Sequence, residues 1–206
     1  MIAVVDFGSG NTRSVLRALD AVGAQARLVA TPEGIDAAER LVLPGVGAAP
    51  SAVEELEARG LWEPVRRWGA GDRPLLGLCL GAQLLLEGSD EGNAPGLGLI
   101  SGRCRAFPST IEGGPRQVPH IGWNEVRTAT GAFDAYFVHG YWLDAAPSAV
   151  AGWTDVDGFR FPSLLRAGSL TGTQFHPEKS GPTGRALLAA FAAGALDGKA
   201  RAVAWS

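Results

Sequence analysis

Residues 74–83 read PLLGLCLGAQ, an apolar run followed directly by a cysteine with a glycine two positions away on each side. The apolar run predicts a buried strand over residues 74–79. Gly77 and Gly81 allow the backbone to turn sharply around Cys79. This spacing of small residues predicts a nucleophile elbow, which presents the Cys79 side chain at the carboxyl end of a sheet.

The helix predicted for residues 80–87 begins directly behind Cys79. Its N-terminus would favour the reactive thiolate, and the Leu80 N–H would point at an oxyanion forming on a bound substrate. A buried structural cysteine at the end of a Gly-rich strand is the alternative interpretation. A candidate base elsewhere in the chain would favour the nucleophile over the structural cysteine.

Residues 174–180, QFHPEKS, supply the candidate base. Pro177 biases His176 away from the helical conformation, so His176 and Glu178 can project from one extended turn. A thiol nucleophile needs a base, and the base needs a third group that orients it. Such sets assemble in space rather than in sequence, so Cys79, His176 and Glu178 form a candidate catalytic triad. Ordinary turn punctuation is the alternative interpretation of His-Pro-Glu.

The flanking sequence predicts the fold class. In the first half, short apolar runs alternate with amphipathic stretches, which favours a doubly wound, mostly parallel α/β sheet. The predicted strands there are residues 2–5, 26–30 and 41–43, and the predicted helices are residues 12–23 and 51–59. From residue 88 onward, short β-like runs predict antiparallel strands added to one edge of that sheet. These runs are residues 97–100, 103–107, 124–128, 136–139, 149–153 and 163–175, with a final helix at 183–196.

Composition limits the other classes of protein. The chain has 206 residues, of which 46% are hydrophobic and 19% charged, so it is long and apolar enough to fold. A net charge of −3 with scattered basic residues gives no sign of nucleic-acid binding. Its apolar stretches fall short of the roughly 18 residues that a membrane span needs. Two cysteines and three histidines predict neither a disulfide framework nor an elaborate metal site. We expect a cytoplasmic protein without a metal or other cofactor.

The sequence resembles the class I (triad) glutamine amidotransferases through residues 76–83 and 174–178. Within that family it is similar to the glutaminase subunits of imidazole glycerol phosphate synthase over nearly the whole chain, from residue 2 to about residue 193. The further matching stretches are DFGSGN at 6–11, LPGVG at 43–47, GLGLI at 96–100, PHIGWN at 119–124, YFVH at 136–139 and HPEKSG at 176–181. The resemblance implies a flavodoxin-like fold and one glutamine amidotransferase type 1 domain over residues 1–206.

The resemblance also implies the chemistry of glutamine hydrolysis through a thioester. Cys79 would attack the side-chain amide, His176 would accept the thiol proton and then protonate departing ammonia, and Glu178 would orient His176. The implied oxyanion donors are the backbone N–H groups of Leu80 and of the loop at Val46 and Gly47. The implied contacts to glutamine come from Gln83, Gly47, Gly140 and Tyr141.

The partner implied by the resemblance is a (β/α)8-barrel cyclase subunit, which would receive the ammonia in a heterodimer. That complex would form imidazole glycerol phosphate and aminoimidazole carboxamide ribotide in L-histidine biosynthesis. The matching partner-facing positions are Asn11, Trp123, Tyr136 and Lys179. From composition alone, Trp123 and Tyr136 could equally be core aromatics.

Several positions and alternatives stay open at this point. Gly140 stands where the family usually has Ser or Thr, and Ala82 stands where it usually has Met. Cys104 is assigned as a structural thiol, and His120 and His139 are given packing or interface roles. The alternative functions are a glutaminase subunit for vitamin B6, anthranilate or aminobenzoate synthesis, or a catalytically silent scaffold subunit.

Overall fold

The computed structural model describes residues 1–8, 10–111 and 114–196. Ser9 of the DFGSGN stretch, residues 112–113 and the last ten positions of the predicted domain, 197–206, lie outside the described residues. The described strands are β1 (Ile2–Val5), β2 (Ala26–Val29), β3 (Arg40–Leu43), β4 (Leu75–Leu78), β5 (Gly102–Ala106), β6 (Thr110–Ile111), β7 (Gly114–Pro115), β8 (His120–Thr128), β9 (Gly131–His139), β10 (Tyr141–Ala145), β11 (Val150–Val156), β12 (Phe159–Ala167) and β13 (Leu170–Thr173). The described helices are α1 (Thr12–Asp20), α2 (Pro32–Asp36), α3 (Ala49–Ala58), α4 (Trp62–Ala70), α5 (Leu80–Leu84) and α6 (Gly181–Ala192).

A nine-stranded sheet in the order β2-β1-β3-β4-β13-β12-β11-β8-β9 forms the centre of the molecule. The first five strands are parallel, whereas β12, β11, β8 and β9 pair antiparallel to their neighbours. This order confirms the predicted α/β sheet with antiparallel strands added to one edge. Strands β5 and β10 form a separate antiparallel pair, as do β6 and β7.

The inner parallel strands are buried on both faces, whereas β2 at the edge of the sheet is partly exposed. Every residue of β1 and β4 is buried, which is typical of parallel strands covered by helices on each side. One face packs against α3 and α4, for example through Leu56 and Trp68. The other face packs against α1 and α6, for example through Leu19 and Phe191. Two apolar cores therefore hold the carboxyl ends of the parallel strands at one edge.

The strand predicted for residues 97–100 is wrong. The N–H groups of this segment donate instead to carbonyl oxygens at the end of α5 and just beyond it, for example Leu97 to Leu84 at 2.8 Å and Ile100 to Leu85 at 2.9 Å. Leu97 and Ile100 are both buried, so the apolar pattern reflects packing rather than sheet pairing. Because this segment bonds the last carbonyl groups, α5 ends at Leu84 rather than at residue 87.

Several other predicted boundaries differ from the structure. Helix α3 begins at Ala49 with Pro50 in its first turn, so its glutamates lie beyond the opening turn instead of in it. Helix α6 runs from Gly181 to Ala192, not from residue 183 to 196. Helices α2 and α4 were not predicted from the sequence. The β-rich run at 163–175 divides into parts of two strands, of which β13 pairs parallel to β4.

Close backbone packing explains the two glycines of the elbow. A Cβ atom on Gly81 would overlap the carbonyl oxygen of Leu43, at the end of β3. A Cβ atom on Gly77 would lie 2.7 Å from the Gly81 carbonyl oxygen and 2.8 Å from the Ala82 nitrogen. Both contacts are with backbone, which cannot move aside cheaply. The strand and the helix can therefore approach this closely only with glycine at both positions.

We expect Gly81→Ala to lower the free energy of unfolding by about 2 kcal/mol or more, because the added methyl group overlaps the backbone of β3. Urea unfolding followed by circular dichroism measures the change. Gly140→Ala is the control, since its Cβ would meet Val118 Cγ1 at an ordinary 3.7 Å. Equal stability of the two variants would contradict this account of the elbow.

Candidate active site

The elbow places Cys79 between β4 and α5, at the carboxyl end of the parallel strands. Its backbone has φ +50° and ψ −105°, a conformation that costs a non-glycine residue roughly 1–3 kcal/mol. Its N–H donates to the Thr173 carbonyl oxygen at 2.7 Å, which ties the elbow to the end of β13. The Cys79 Sγ lies 3.8 Å from the Val138 carbonyl oxygen. The thiol is thus held between the ends of two neighbouring parallel strands and the end of β9.

His176 and Glu178 follow β13 directly. The two side chains are fully buried, and His176 Nδ1 lies 2.8 Å from Glu178 Oε1. The same carboxylate oxygen accepts a hydrogen bond from Asn11 Nδ2 at 3.1 Å. His176 Nε2 is buried and makes no hydrogen bond to any described residue. The carboxylate therefore engages one ring nitrogen and leaves the other available for proton transfer.

The pKa shifts of His176 and Glu178 both favour the charged form of each side chain. Burial lowers the pKa of His176, but interaction with the Cys79 sulfur and with the hydrogen-bonded Glu178 carboxylate outweighs burial and raises the pKa to about 9. Burial raises the pKa of Glu178, but the hydrogen bonds and charge of His176, with the Asn11 amide, lower it below its ordinary value. At neutral pH the structure therefore favours an imidazolium beside a carboxylate, with Cys79 as the third member of the group.

A cavity of about 340 Å³ opens beside Cys79. Its size is within the range of small-molecule sites in proteins. Its walls contain every residue predicted for the oxyanion site and for glutamine contacts. The lining residues are Val46, Gly47, Cys79, Leu80, Gln83, Glu91, Val138, His139, Gly140 and Tyr141. Gln83 is only 6% exposed, so it is not an ordinary surface glutamine on a helix.

Two residues of the site carried no role in the sequence interpretation. Glu91 lines the cavity, and its Oε2 accepts the Ala49 N–H at 2.7 Å, at the start of α3. An acidic pair, Asp90 and Glu91, in a Gly-rich stretch gives no signal for this position. The other is Gln174, whose Nε2 lies 3.7 Å from Cys79 Sγ. Gln174 precedes the predicted base His176 by two residues, and this short spacing was the available signal.

Three of the four predicted partner-facing residues form one cluster. Trp123 on β8 is directly opposite Tyr136 on β9, with ring centroids 6.1 Å apart, and the Lys179 ammonium lies 5.8 Å from the Tyr136 ring. Trp123 is 57% exposed, so it is not a core aromatic residue. Asn11 does not join this surface. It is 6% exposed, and its contact with Glu178 is one that the sequence did not predict.

The stability of the buried pair should depend on pH. The pKa of His176 is raised on folding, so its contribution is complete below about pH 6.5 and is lost as the pH rises through about 9. We expect Glu178→Gln to be less stable than the parent by about 1 kcal/mol or more near pH 6, with the gap closing toward pH 9. Urea unfolding between pH 6 and 10 measures it.

Glu63→Gln is the matched control for this experiment. It also removes the carboxylate of an ion pair, the exposed pair with Arg66, but has no histidine partner. Its gap to the parent should not change between pH 6 and 9. A constant gap for Glu178→Gln over that range would contradict the assigned coupling.

Comparison with known proteins identifies the family of this chain. The family model "Glutamine amidotransferase class-I" matches residues 3–195. The chain is 46% identical over 200 residues to "Imidazole glycerol phosphate synthase subunit HisH" of Streptococcus sanguinis, which covers 93% of this chain and 95% of that protein. It is 41% identical over 205 residues to the protein of the same name from Nitrosospira multiformis, with 92% and 96% covered.

Solved structures share the fold at lower identity. "Crystal structure of glutamine amidotransferase" superposes with a TM-score of 0.74 and 21% identity, covering 93% of this chain and 98% of that one. The helices in the described ranges are too short or too polar to cross a membrane. The family match and the solved structure agree with the α/β sheet described above. The chain belongs to the class I glutamine amidotransferase family, in the group that contains the HisH subunits of imidazole glycerol phosphate synthase.

Proposed function

We propose that this chain is the glutaminase subunit of an imidazole glycerol phosphate synthase, and that it hydrolyses L-glutamine to glutamate and ammonia for L-histidine biosynthesis. The observation that carries the chemistry is Cys79 at a strained elbow, beside a buried His176–Glu178 pair and lining a cavity of small-molecule size. The pathway rests on the relatives, whose shared name specifies the synthase.

The first half-reaction forms a thioester. The Cys79 sulfur attacks the side-chain carbonyl carbon of glutamine, and the carbonyl electrons move to the oxygen. Backbone N–H groups of Leu80 and of the loop at Val46 and Gly47 would stabilise that oxyanion, since all three residues line the cavity beside the thiol. His176 Nε2 then gives its proton to the amide nitrogen, the carbon–nitrogen bond breaks, and ammonia leaves.

The second half-reaction restores the enzyme. His176 Nε2, now neutral, accepts a proton from water, whose oxygen attacks the thioester carbon. The carbon–sulfur bond breaks and releases glutamate, and the proton stays in the Cys79–His176 pair. Glu178 holds Nδ1 throughout, and Asn11 holds Glu178, so the ring presents the same nitrogen to both steps.

The cavity also suggests how glutamine is held. Gln83 Nε2 donates to the Tyr141 carbonyl oxygen at 3.4 Å, which leaves its Oε1 free to accept from the substrate. Gly140 and Gly47 place backbone groups in the same wall. The Glu91 carboxylate adds negative charge that would attract the α-ammonium group of an amino acid. With Gly140 in place of Ser or Thr, this wall offers glutamine no hydroxyl group at that position.

The partner we propose is a (β/α)8-barrel cyclase, which would bind over the Trp123 surface and take up the ammonia in the cytoplasm. Exposed large apolar side chains in the described ranges concentrate near this region. Three of these side chains, Val118, Ile121 and Trp123, lie in one short segment. A fourth, Val46, lines the cavity. The fifth, Leu28, lies on β2 at the opposite edge of the sheet.

Cys79→Ala should reduce glutamate release to the uncatalysed level, because no other described thiol reaches the cavity. Release of glutamate from glutamine, measured with the barrel cyclase and its nucleotide present, is the readout. The control is Cys104→Ala, which removes a buried thiol whose pKa burial raises far above its usual range. Wild-type turnover by Cys79→Ala would exclude the thioester mechanism, and an inactive parent chain would favour the silent scaffold.

Trp123→Ala should weaken binding to the cyclase by about 30-fold or more, because an exposed aromatic anchor contributes about 2 kcal/mol or more at the centre of an interface. Titration calorimetry with the purified cyclase measures the dissociation constant. Leu28→Ala removes an exposed apolar side chain from the opposite edge and should bind like the parent. Equal affinities for both variants, or association with a different synthase instead, would contradict the proposed partner.

A further inference from the structure

We propose that Gln174 is an additional catalytic residue, whose side-chain amide donates a hydrogen bond to Cys79 Sγ and stabilises the thiolate that attacks glutamine. This inference deepens the proposed function and rests on it for the identity of the substrate. The contact itself can be tested without glutamine.

Contacts of both the backbone and the side chain fix Gln174 in the site. It is fully buried between β13 and His176, and its N–H donates to the Ser163 carbonyl oxygen at 2.9 Å. Its Nε2 lies 3.7 Å from Cys79 Sγ, within hydrogen-bonding range for sulfur. Its Oε1 accepts from Gln83 Nε2 at 3.4 Å. A buried amide with both ends engaged has one fixed position.

The direction of that amide follows from one backbone carbonyl group. The Tyr141 carbonyl oxygen can only accept, so Gln83 must present its NH2 group to it. The second hydrogen of the same NH2 group points to Gln174, which must therefore present its oxygen to Gln83. The NH2 group of Gln174 is left to face the sulfur. A flipped Gln174 amide would set its NH2 group against the NH2 group of Gln83, and a flipped Gln83 amide would set its oxygen against the Tyr141 carbonyl oxygen.

Two histidines hold the Tyr141 carbonyl group from the other side. His139 Nδ1 lies 2.7 Å from the Tyr141 carbonyl oxygen, and so must donate to it. Burial lowers the pKa of His139 to about 3, which keeps the ring neutral and makes Nε2 an acceptor. His120 Nδ1 then donates to that Nε2 at 3.0 Å. The carbonyl that sets the direction of the amides is thus fixed by a second set of hydrogen bonds.

An amide is well suited to stabilising the sulfur. Its N–H groups favour the negative thiolate over the neutral thiol, because hydrogen bonds to charged atoms are the stronger ones. It does not titrate, so it does not compete with His176 for the proton. Loss of one such hydrogen bond to a charged group should lower the thiolate population about tenfold at any pH where the neutral thiol predominates.

The test is alkylation of Cys79 by iodoacetamide, followed by peptide mass spectrometry in the absence of glutamine. For Gln174→Leu we expect the rate at pH 7 to fall about tenfold and the pH profile to move up by about one unit. The rate at high pH should recover to the parent value. Thr171→Val is the matched control, since its hydroxyl group is buried on β13, the strand that leads to Gln174, with no hydrogen-bond partner among the described residues.

The possible outcomes separate cleanly. A Gln174→Leu protein with native melting temperature and an unchanged pH profile overturns the proposal. A rate lowered equally at every pH also overturns it, since that result indicates restricted access rather than a lost donor. Should Gln174→Leu fail to fold, Gln174→Met, which is unbranched and similar in length, decides between the same outcomes. Failure of the parent chain to hydrolyse glutamine would contradict the proposed function and leave this result standing.

Discussion

The close approach of α5 to the end of β3 is the constraint on which the site depends. It requires glycine at position 81, since a side chain there would overlap the Leu43 carbonyl oxygen. The sharp turn from β4 into α5 also holds Cys79 at a positive φ that only a well-packed surrounding can maintain. The Cys79 N–H bond to Thr173 and the apolar cores on both faces of the sheet supply that support. The strain at one residue is thus offset by the packing of the whole parallel half of the sheet.

The charged pair beside the elbow depends on the same packing. Burying a carboxylate and an imidazolium is costly unless both are paired and hydrogen-bonded. Here Glu178 is hydrogen-bonded to Asn11 as well as to His176, so the residue before α1 is linked to the turn that precedes α6. The parallel pairing of β13 with β4 then sets the distance between His176 and Cys79, because both residues follow the ends of adjacent strands.

Much of this arrangement was predictable from the sequence, because its parts are local patterns. The elbow glycines, the His-Pro-Glu turn and the alternating apolar runs each reflect the chain's own geometry over a few residues. What the sequence could not predict depends on contacts between distant segments. Leu97 and Ile100 look like a strand but close the end of α5. The partners of Asn11 and Gln174 exist only once the segment after β13 is in place, and Glu91 finds its partner only at the distant start of α3.

The central claim is that Cys79 becomes acylated by glutamine. Rapid acid quenching of the chain with glutamine and its cyclase, followed by peptide mass spectrometry, measures this directly. The account predicts a glutamyl group on the peptide that contains Cys79, formed before glutamate accumulates and absent when glutamate is offered instead. Glutamate release without any adduct, even when the second half-reaction is slowed, or an adduct on another residue, would contradict it.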